Sequence, residues 1–317
     1  MNTPKILWIP IGHQCNLKCK HCDIHTLNEK LLLSNDKIFK VVDWFSKLNP
    51  DGYVLFHGGE PLLNNNYMNI INYVFEKKLK FLLFSNGTLI NKEISKSLKG
   101  KVECVIISLD SHIEEVHNKL RGNKNSYSLA IKSINHLLDE NIKVHTNLSL
   151  SSKNLDHFID YCDFCDELGI FPRFSVIEPN FKYSDINRFK FSDLFIKDVD
   201  KLNEVLNTYK NRYQSYLCND KINHILEYFN ISNQTFLSPK ERRRGYVFPN
   251  NCDYKLIQLN NEGEISISLC SHNIIKKKIN TFDELKDFWY DKKNENIITN
   301  CTKYCSINCM NKYDGFI

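Results

Sequence analysis

The sequence has no apolar run approaching the roughly 18 residues of a membrane-spanning helix. Ahead of the first hydrophobic stretch, at residues 5–9, it also lacks the apolar core and cleavage site of a secretory signal. Both absences lead to the expectation of a cytoplasmic protein without a membrane partner. A basic stripe interleaved with aromatics is missing too. The formal charge is only +5 over 317 residues and the Lys and Arg residues are scattered, so nothing argues for nucleic acid. There is no low-complexity segment and no internal repeat beyond an alternation of strands and helices. The composition, 42% hydrophobic and 25% charged, allows one large core and a small appendage.

Against these absences stand 12 cysteines. The cytosol keeps thiols reduced, so metal clusters explain them better than disulfides. They collect at both ends of the chain. Cys15, Cys19 and Cys22 are separated by three and two residues. Three thiolates at this spacing can wrap three corners of a 4Fe-4S cube and leave the fourth iron open to a ligand that is not protein. The same loop could hold zinc if His13, His21 or His25 completed a four-ligand set.

Residues 5–11 read as a buried strand with the cysteine loop at its C-terminal end. Ser34 can cap a helix to about residue 48, because Ile38, Val41, Val42, Phe45 and Leu48 repeat at helical spacing. The rhythm continues with strands at 53–57, 81–85, 102–109, 144–150 and 171–177. Helices are predicted at 67–78, 91–98, 126–139 and 154–168. Six mostly apolar strands that alternate with helices imply a parallel sheet joined by right-handed crossovers. The expected fold class is therefore α/β, a partial (β/α)6 TIM-like barrel. In such barrels reactive groups gather at the C-terminal ends of the strands. The cysteine loop, Gly58-Gly59-Glu60-Pro61, Asn86, Ser108 and Asp110 all fall there.

The pattern changes near residue 180. Two helical stretches near 191–209 and 211–229 suggest a connector over 181–250. Strands at 255–259 and 264–268 around Asn260-Asn261-Glu262-Gly263 then read as a hairpin. Thr281 can cap a helix through residue 290. Cys252 and Cys270 flank the hairpin, and Cys301, Cys305 and Cys309 follow, giving a small hairpin-plus-helix unit over 251–317.

Cys15-x3-Cys19-x2-Cys22 after the first strand, with Gly58-Gly59-Glu60-Pro61 after the second, resembles the radical S-adenosylmethionine (radical SAM) superfamily over a barrel of residues 1–180. The resemblance implies a 4Fe-4S cluster on Cys15, Cys19 and Cys22, with the methionine part of S-adenosylmethionine on the open iron. An external one-electron donor such as flavodoxin or ferredoxin would reduce the cluster. Cleavage of the sulfonium would then release a 5'-deoxyadenosyl radical that abstracts a hydrogen atom from substrate. Gly58 and Gly59 let backbone approach the cofactor closely, Glu60 can accept from an ammonium group or help shape the turn, and His21 stands where the family often has an aromatic that can pack near the adenine. Asn86, Ser108 and Asp110 resemble positions used for the carboxylate and ribose hydroxyls, although turn formation and capping are competing readings for these residues. Arg121 resembles an arginine that pairs with the cofactor carboxylate. Asn147 and Arg173 are further candidates for the pocket.

The C-terminal cysteines resemble a twitch domain, the shortened SPASM domain that holds an auxiliary 4Fe-4S cluster. Cys252, Cys270 and two of Cys301, Cys305 and Cys309 would supply its ligands, with structural zinc as the competing reading. The six residues between Gly263 and Cys270 exceed the family's usual four. Cys162 and Cys165 sit in a predicted helix and Cys104 in a strand, and all three read as core. Cys218 is a lone thiol that could donate a hydrogen atom to a substrate radical, or be buried and structural. Arg242, Arg243 and Arg244 could grip an anionic group. The expected activity is oxidation, crosslinking or epimerisation of a ribosomally made peptide. The chain begins at its first barrel strand, leaving no segment for binding a leader peptide, which weighs against that expectation unless a separate protein does so. The alternatives are a radical dehydrogenase or epimerase of a small sugar or aminocyclitol, and a non-catalytic iron-sulfur or zinc-binding protein.

Overall fold

Side chains along a strand point alternately to its two faces, so a barrel strand of apolar residues serves two cores at once. A computed structural model of the chain describes residues 3–26, 34–177, 193–213, 222–223, 225–226, 229, 256–259, 265–268 and 275–299. Strands β1 (Ile6–Gly12), β2 (Tyr53–Gly58), β3 (Lys80–Ser85), β4 (Cys104–Ser108), β5 (Val144–Leu150) and β6 (Phe171–Val176) lie side by side in sequence order, each parallel to the next. Helices α1 (Asn35–Leu48), α2 (Tyr67–Glu76), α3 (Lys92–Leu98), α4 (Glu114–Arg121), α5 (Ser126–Asp139) and α6 (Phe158–Glu167) make the crossovers. This is the expected α/β partial barrel.

One strand face supplies Leu7, Ile9, Val54, Phe56, Phe81, Leu83, Val105 and Ile107 to a core shared with the helices. The opposite face carries Ile6, Leu55, Leu82, Cys104 and Ile106 in a separate inner cluster. The inner face turns polar toward the C-terminal ends of the strands. Helix α1 buries the predicted stripe together with Trp44. Ser34 stands at its N-cap position but makes no side-chain cap bond. Cys162 and Cys165 are fully buried on α6, where burial pushes both thiols up.

Helix α7 (Val199–Arg212) starts later than residue 191, where Asp198 accepts from the Lys201 N–H at 2.9 Å. It packs against α6 and β6 through Phe158, whose ring centroid lies 5.2 Å from Phe174 and 5.4 Å from Tyr209. The Tyr209 hydroxyl donates to the Pro172 carbonyl at 2.6 Å.

The hairpin of β7 (Leu256–Leu259) and β8 (Ser266–Ser268) forms as expected, with Gln258 opposite Ser268. It does not form a sheet of its own. β7 adds parallel to β1, and β9 (Lys276–Lys278), which the periodicity does not announce, extends one sheet to nine strands in the order β6-β5-β4-β3-β2-β1-β7-β8-β9. Thr281 caps α8 (Phe282–Tyr290) by accepting from the Glu284 N–H at 3.2 Å, while Glu284 reaches back to the Asn280 N–H at 2.8 Å. The short helix α9 (Lys292–Thr299) follows. Lys47 of α1 lies over the Phe282 ring at 5.3 Å, so α8 rests on the barrel.

Cys218, Arg242, Arg243, Arg244, Cys252, Cys270, Cys301, Cys305 and Cys309 lie outside the described residues, as do the hairpin turn and most of the second connector helix. Truncation of Phe158 tests the packing of α6 and α7. Phe158→Ala should lower the free energy of unfolding by about 3–5 kcal/mol, read from the denaturant midpoint at constant slope. A loss below about 1 kcal/mol would show that the barrel end is not held together by this ring.

Candidate active site

Between the end of β1 and a single 3-10 turn at Ile24–Thr26, the cysteine loop has no regular secondary structure. Its backbone groups therefore find partners elsewhere. The Gly59 and Glu60 N–H groups donate to the Gly12 and Gln14 carbonyls, each at 2.8 Å. A side chain on Gly58 would collide with the Gly12 carbonyl, and one on Gly59 with that of Gln14. Gly58 also holds a φ of +136°, which favours glycine. Both glycines thus serve a close approach between the β2 turn and the cysteine loop.

Glu60 extends this contact. Its Oε1 accepts from the Ser85 hydroxyl at 2.8 Å and the Leu62 N–H at 3.3 Å, and its Oε2 accepts from the Asn86 N–H at 2.7 Å. Asn86 Nδ2 donates in turn to Asn16 Oδ1 at 2.8 Å, and Asn16 Nδ2 to the Thr88 hydroxyl at 2.8 Å. Glu60 and Asn86 are brackets between β2, β3 and the loop. Burial pushes the Glu60 carboxyl up to about 7, against the three donors that favour its ionised form.

The other side of the loop is held by α4, a helix that sequence periodicity does not reveal. Its buried face is His117, Leu120 and Arg121, with one apolar residue among the three. The available signal was the end of the helix, where Lys119 and Arg121 precede Gly122. Gly122 adopts φ +66°, and a side chain there would collide with the Lys18 carbonyl. The Lys20 N–H donates to the Leu120 carbonyl at 2.8 Å.

Arg121 and Asp110 form a buried ion pair, in which Nη2 donates to Oδ1 at 2.7 Å and Nε lies 2.6 Å from Oδ2 without a hydrogen bond between them. Asp110 Oδ1 also accepts from the Ser149 N–H at 2.8 Å, and the Asp110 N–H donates to His117 Nδ1 at 3.1 Å. Burial alone would raise the Asp110 carboxyl. The Arg121 guanidinium outweighs that and holds it below the usual range. Burial pushes His117 and His21 down to about 4, partly opposed by Asp110, so both rings are neutral.

Cys15, Cys19 and Cys22 open onto a cavity of about 350 Å³ at the C-terminal mouth of the barrel. Gly58, Gly59, Glu60, Asn86, Ser108 and Arg121 share its wall, together with His21 and Asn147. Two candidates stand elsewhere. Asp110 is fully buried behind Arg121 and does not line the cavity, because its carboxylate is taken up by the guanidinium and the β5 backbone. Arg173 is also absent from the wall. Sequence reasoning missed Ser149 and Ser175. Ser149 lies two residues beyond Asn147 on β5 and pairs in register with Ser175 on β6, so strand alternation could have placed both on the inner face. His21 Nε2 lies 3.3 Å from the Ser149 hydroxyl.

Among the described residues no three Cys, His, Asp or Glu side chains converge on a single metal position. A cube spreads its thiolates over separate irons. Burial raises all three thiols, Cys22 to about 12, so binding iron would displace their protons. The cavity falls within the few-hundred-Å³ range of small-ligand sites.

Two measurements test the clamp. Gly59→Ala should destabilise the chain by roughly 1–3 kcal/mol in urea titration, and wild-type stability would remove the close approach from the account. Glu60 binds a proton more readily folded than unfolded between pH 4.5 and about 7, so its contribution falls as pH rises through that window. Glu60→Gln should flatten the urea midpoint over the same range, whereas an unchanged slope would contradict the raised carboxyl.

Residues 9–165 match the radical SAM superfamily. An AdoMet-dependent heme synthase from Nitratidesulfovibrio vulgaris is 29% identical over 171 residues, covering 53% of this chain and 46% of that protein. The antilisterial bacteriocin subtilosin biosynthesis protein AlbA from Bacillus subtilis is 35% identical over 165 residues, covering 50% and 36%. The chain therefore matches less than half the length of either relative. Streptococcus suis SuiB bound to S-adenosylmethionine shares the fold with a TM-score of 0.64 at 21% identity, over 94% of this chain and 68% of that one. SuiB has the same fold when bound to precursor peptide SuiA, with a TM-score of 0.62 at 22% identity over 95% and 67%. The chain belongs to the radical SAM superfamily, whose reagents are S-adenosylmethionine and a 4Fe-4S cluster.

Proposed function

We propose that Cys15, Cys19 and Cys22 hold the cluster, that S-adenosylmethionine occupies the adjoining cavity, and that the enzyme modifies a ribosomally made peptide. The observation that carries the site assignment is the convergence of these thiols with the polar ends of β2 to β6 on one cavity. When bound, the cluster would supply an electron, received from an external flavodoxin- or ferredoxin-type donor, for the cleavage of S-adenosylmethionine that starts hydrogen-atom abstraction from substrate.

The chain's own part is placement. The Gly58-Gly59 backbone and the Ser108 and Asn147 side chains offer neutral donors and acceptors to a zwitterionic ligand and its ribose. Phe84, Ile24, Val176 and Ile177 provide apolar wall, which orients a ligand while excluding water. Glu60 and Asn86 hold the loop, and the neutral His21 ring faces the same space.

The peptide assignment is supported by the bacteriocin biosynthesis role in AlbA's name and by the complex of SuiB with its precursor peptide. The heme synthase matches over a similar length, which supports assigning substrate choice to the part after β6. Cys252, Cys270 and two of Cys301, Cys305 and Cys309 are proposed to hold one auxiliary 4Fe-4S cluster. β7 and β8 pair antiparallel with Gln258 opposite Ser268, and Cys252 stands four residues before β7 and Cys270 two residues after β8 in the sequence.

Anaerobically reconstituted Cys19→Ala should form no 5'-deoxyadenosine, and wild-type formation would refute the site assignment. Cys252→Ala/Cys270→Ala should lose about half its iron and still cleave S-adenosylmethionine; full iron content would remove the auxiliary cluster. Coexpression with short peptides encoded beside the gene should yield a peptide altered in mass. Unaltered peptides alongside active cofactor cleavage would favour a small-molecule substrate.

A further inference from the structure

We propose that Arg121 is a positioning residue that acts on the cluster through Cys19, rather than a partner for the carboxylate of S-adenosylmethionine. The inference rests on the assignment of Cys19 as a cluster ligand. One side of the guanidinium faces Asp110, with Nη2 donating to Oδ1 at 2.7 Å and Nε in ion-pair contact with Oδ2 at 2.6 Å. The remaining nitrogen, Nη1, lies 3.9 Å from Cys19 Sγ.

The neighbouring residues keep it there. Leu120 accepts from the Lys20 N–H at 2.8 Å, and Gly122 abuts the Lys18 carbonyl, so residues 120 to 122 dock onto residues 18 to 20. Asp110 is fully buried, and its carboxylate also accepts from the Ser149 N–H. Turning the guanidinium toward a bound carboxylate would leave Asp110 unpaired in the interior, which is strongly unfavourable. The fork is shared instead between a carboxylate and a thiol. Once Cys19 binds iron as a thiolate, Nη1 is placed to donate a charge-assisted hydrogen bond to its sulfur. Hydrogen bonds to cluster sulfurs and nearby positive charge favour the reduced, more negative cluster. Arg121 therefore raises the reduction potential and makes electron delivery easier.

The test is an EPR-monitored redox titration of the reconstituted full chain without S-adenosylmethionine, following the signal that later addition of the cofactor perturbs. Asp110→Asn is compared with Asp110→Asn/Arg121→Gln, because the first change removes the carboxylate that would otherwise be stranded. The double variant should show a lower potential than the single one, with at least a tenfold smaller reduced fraction relative to oxidised at fixed potential, about 59 mV for one electron. Arg121→Lys can keep the ion pair with Asp110 but has one nitrogen, and should give a smaller fall of the same sign. That variant decides the question if the double one assembles no cluster.

Equal potentials in the compared proteins would overturn the proposal. So would weaker S-adenosylmethionine binding at unchanged potential, which would return Arg121 to the cofactor carboxylate. If Cys19→Ala kept the full iron content and the same EPR signal, the cluster assignment beneath the proposal would fail, a result distinct from an unmoved potential.

Discussion

The cysteine loop depends on backbone contacts made by other parts of the chain. Residues between β1 and the 3-10 turn form no ladder of their own, and two clamps supply what the loop lacks. The Gly59 and Glu60 N–H groups donate to the Gly12 and Gln14 carbonyls, while the end of α4 receives the Lys20 N–H and abuts the Lys18 carbonyl. These contacts link the loop to β2 on one side and to the β4–α4 unit on the other. The parallel order of the barrel is what brings those units to one end of the sheet.

Charge is distributed to suit that arrangement. Described ionisable groups at the barrel mouth are engaged internally, Glu60 by three donors and Arg121 by Asp110. Their pairing avoids the heavy cost of a stranded buried charge. It leaves hydroxyls, amides and backbone groups as the polar face of the cavity. Glu60 shows the competition plainly, because desolvation outweighs its hydrogen bonds and its carboxyl rises to about 7. At Asp110 the adjacent guanidinium reverses the outcome. The difference between these two carboxylates is the presence of a cation within contact distance.

The strands and most crossover helices were legible in the sequence because the parallel strands are short, mostly apolar runs and the helices repeat their apolar residues every 3.6 positions. Helix α5, at Ser126–Asp139, matches its expected span. Helix α4 was hidden because the residues it buries are a histidine, a leucine and an arginine, so its inward face carries little hydrophobic signal. The attachment of β7 to β1 was hidden for another reason: four residues of strand say nothing about which edge they join. At the site, residue types were readable but their partners were not. Glu60, Asn86 and Asp110 are polar residues at strand ends, as expected, yet each bonds first to protein. A list of suitable donors does not show which are already occupied.

The central claim is that this clamped loop presents three thiolates to a cube whose fourth iron is open. EPR of the reduced protein, recorded in the Cys252→Ala/Cys270→Ala background before and after adding S-adenosylmethionine, tests it most directly. A single 4Fe-4S signal is expected, with g values that shift when the cofactor binds the open iron. A cluster signal that S-adenosylmethionine leaves unchanged would contradict it.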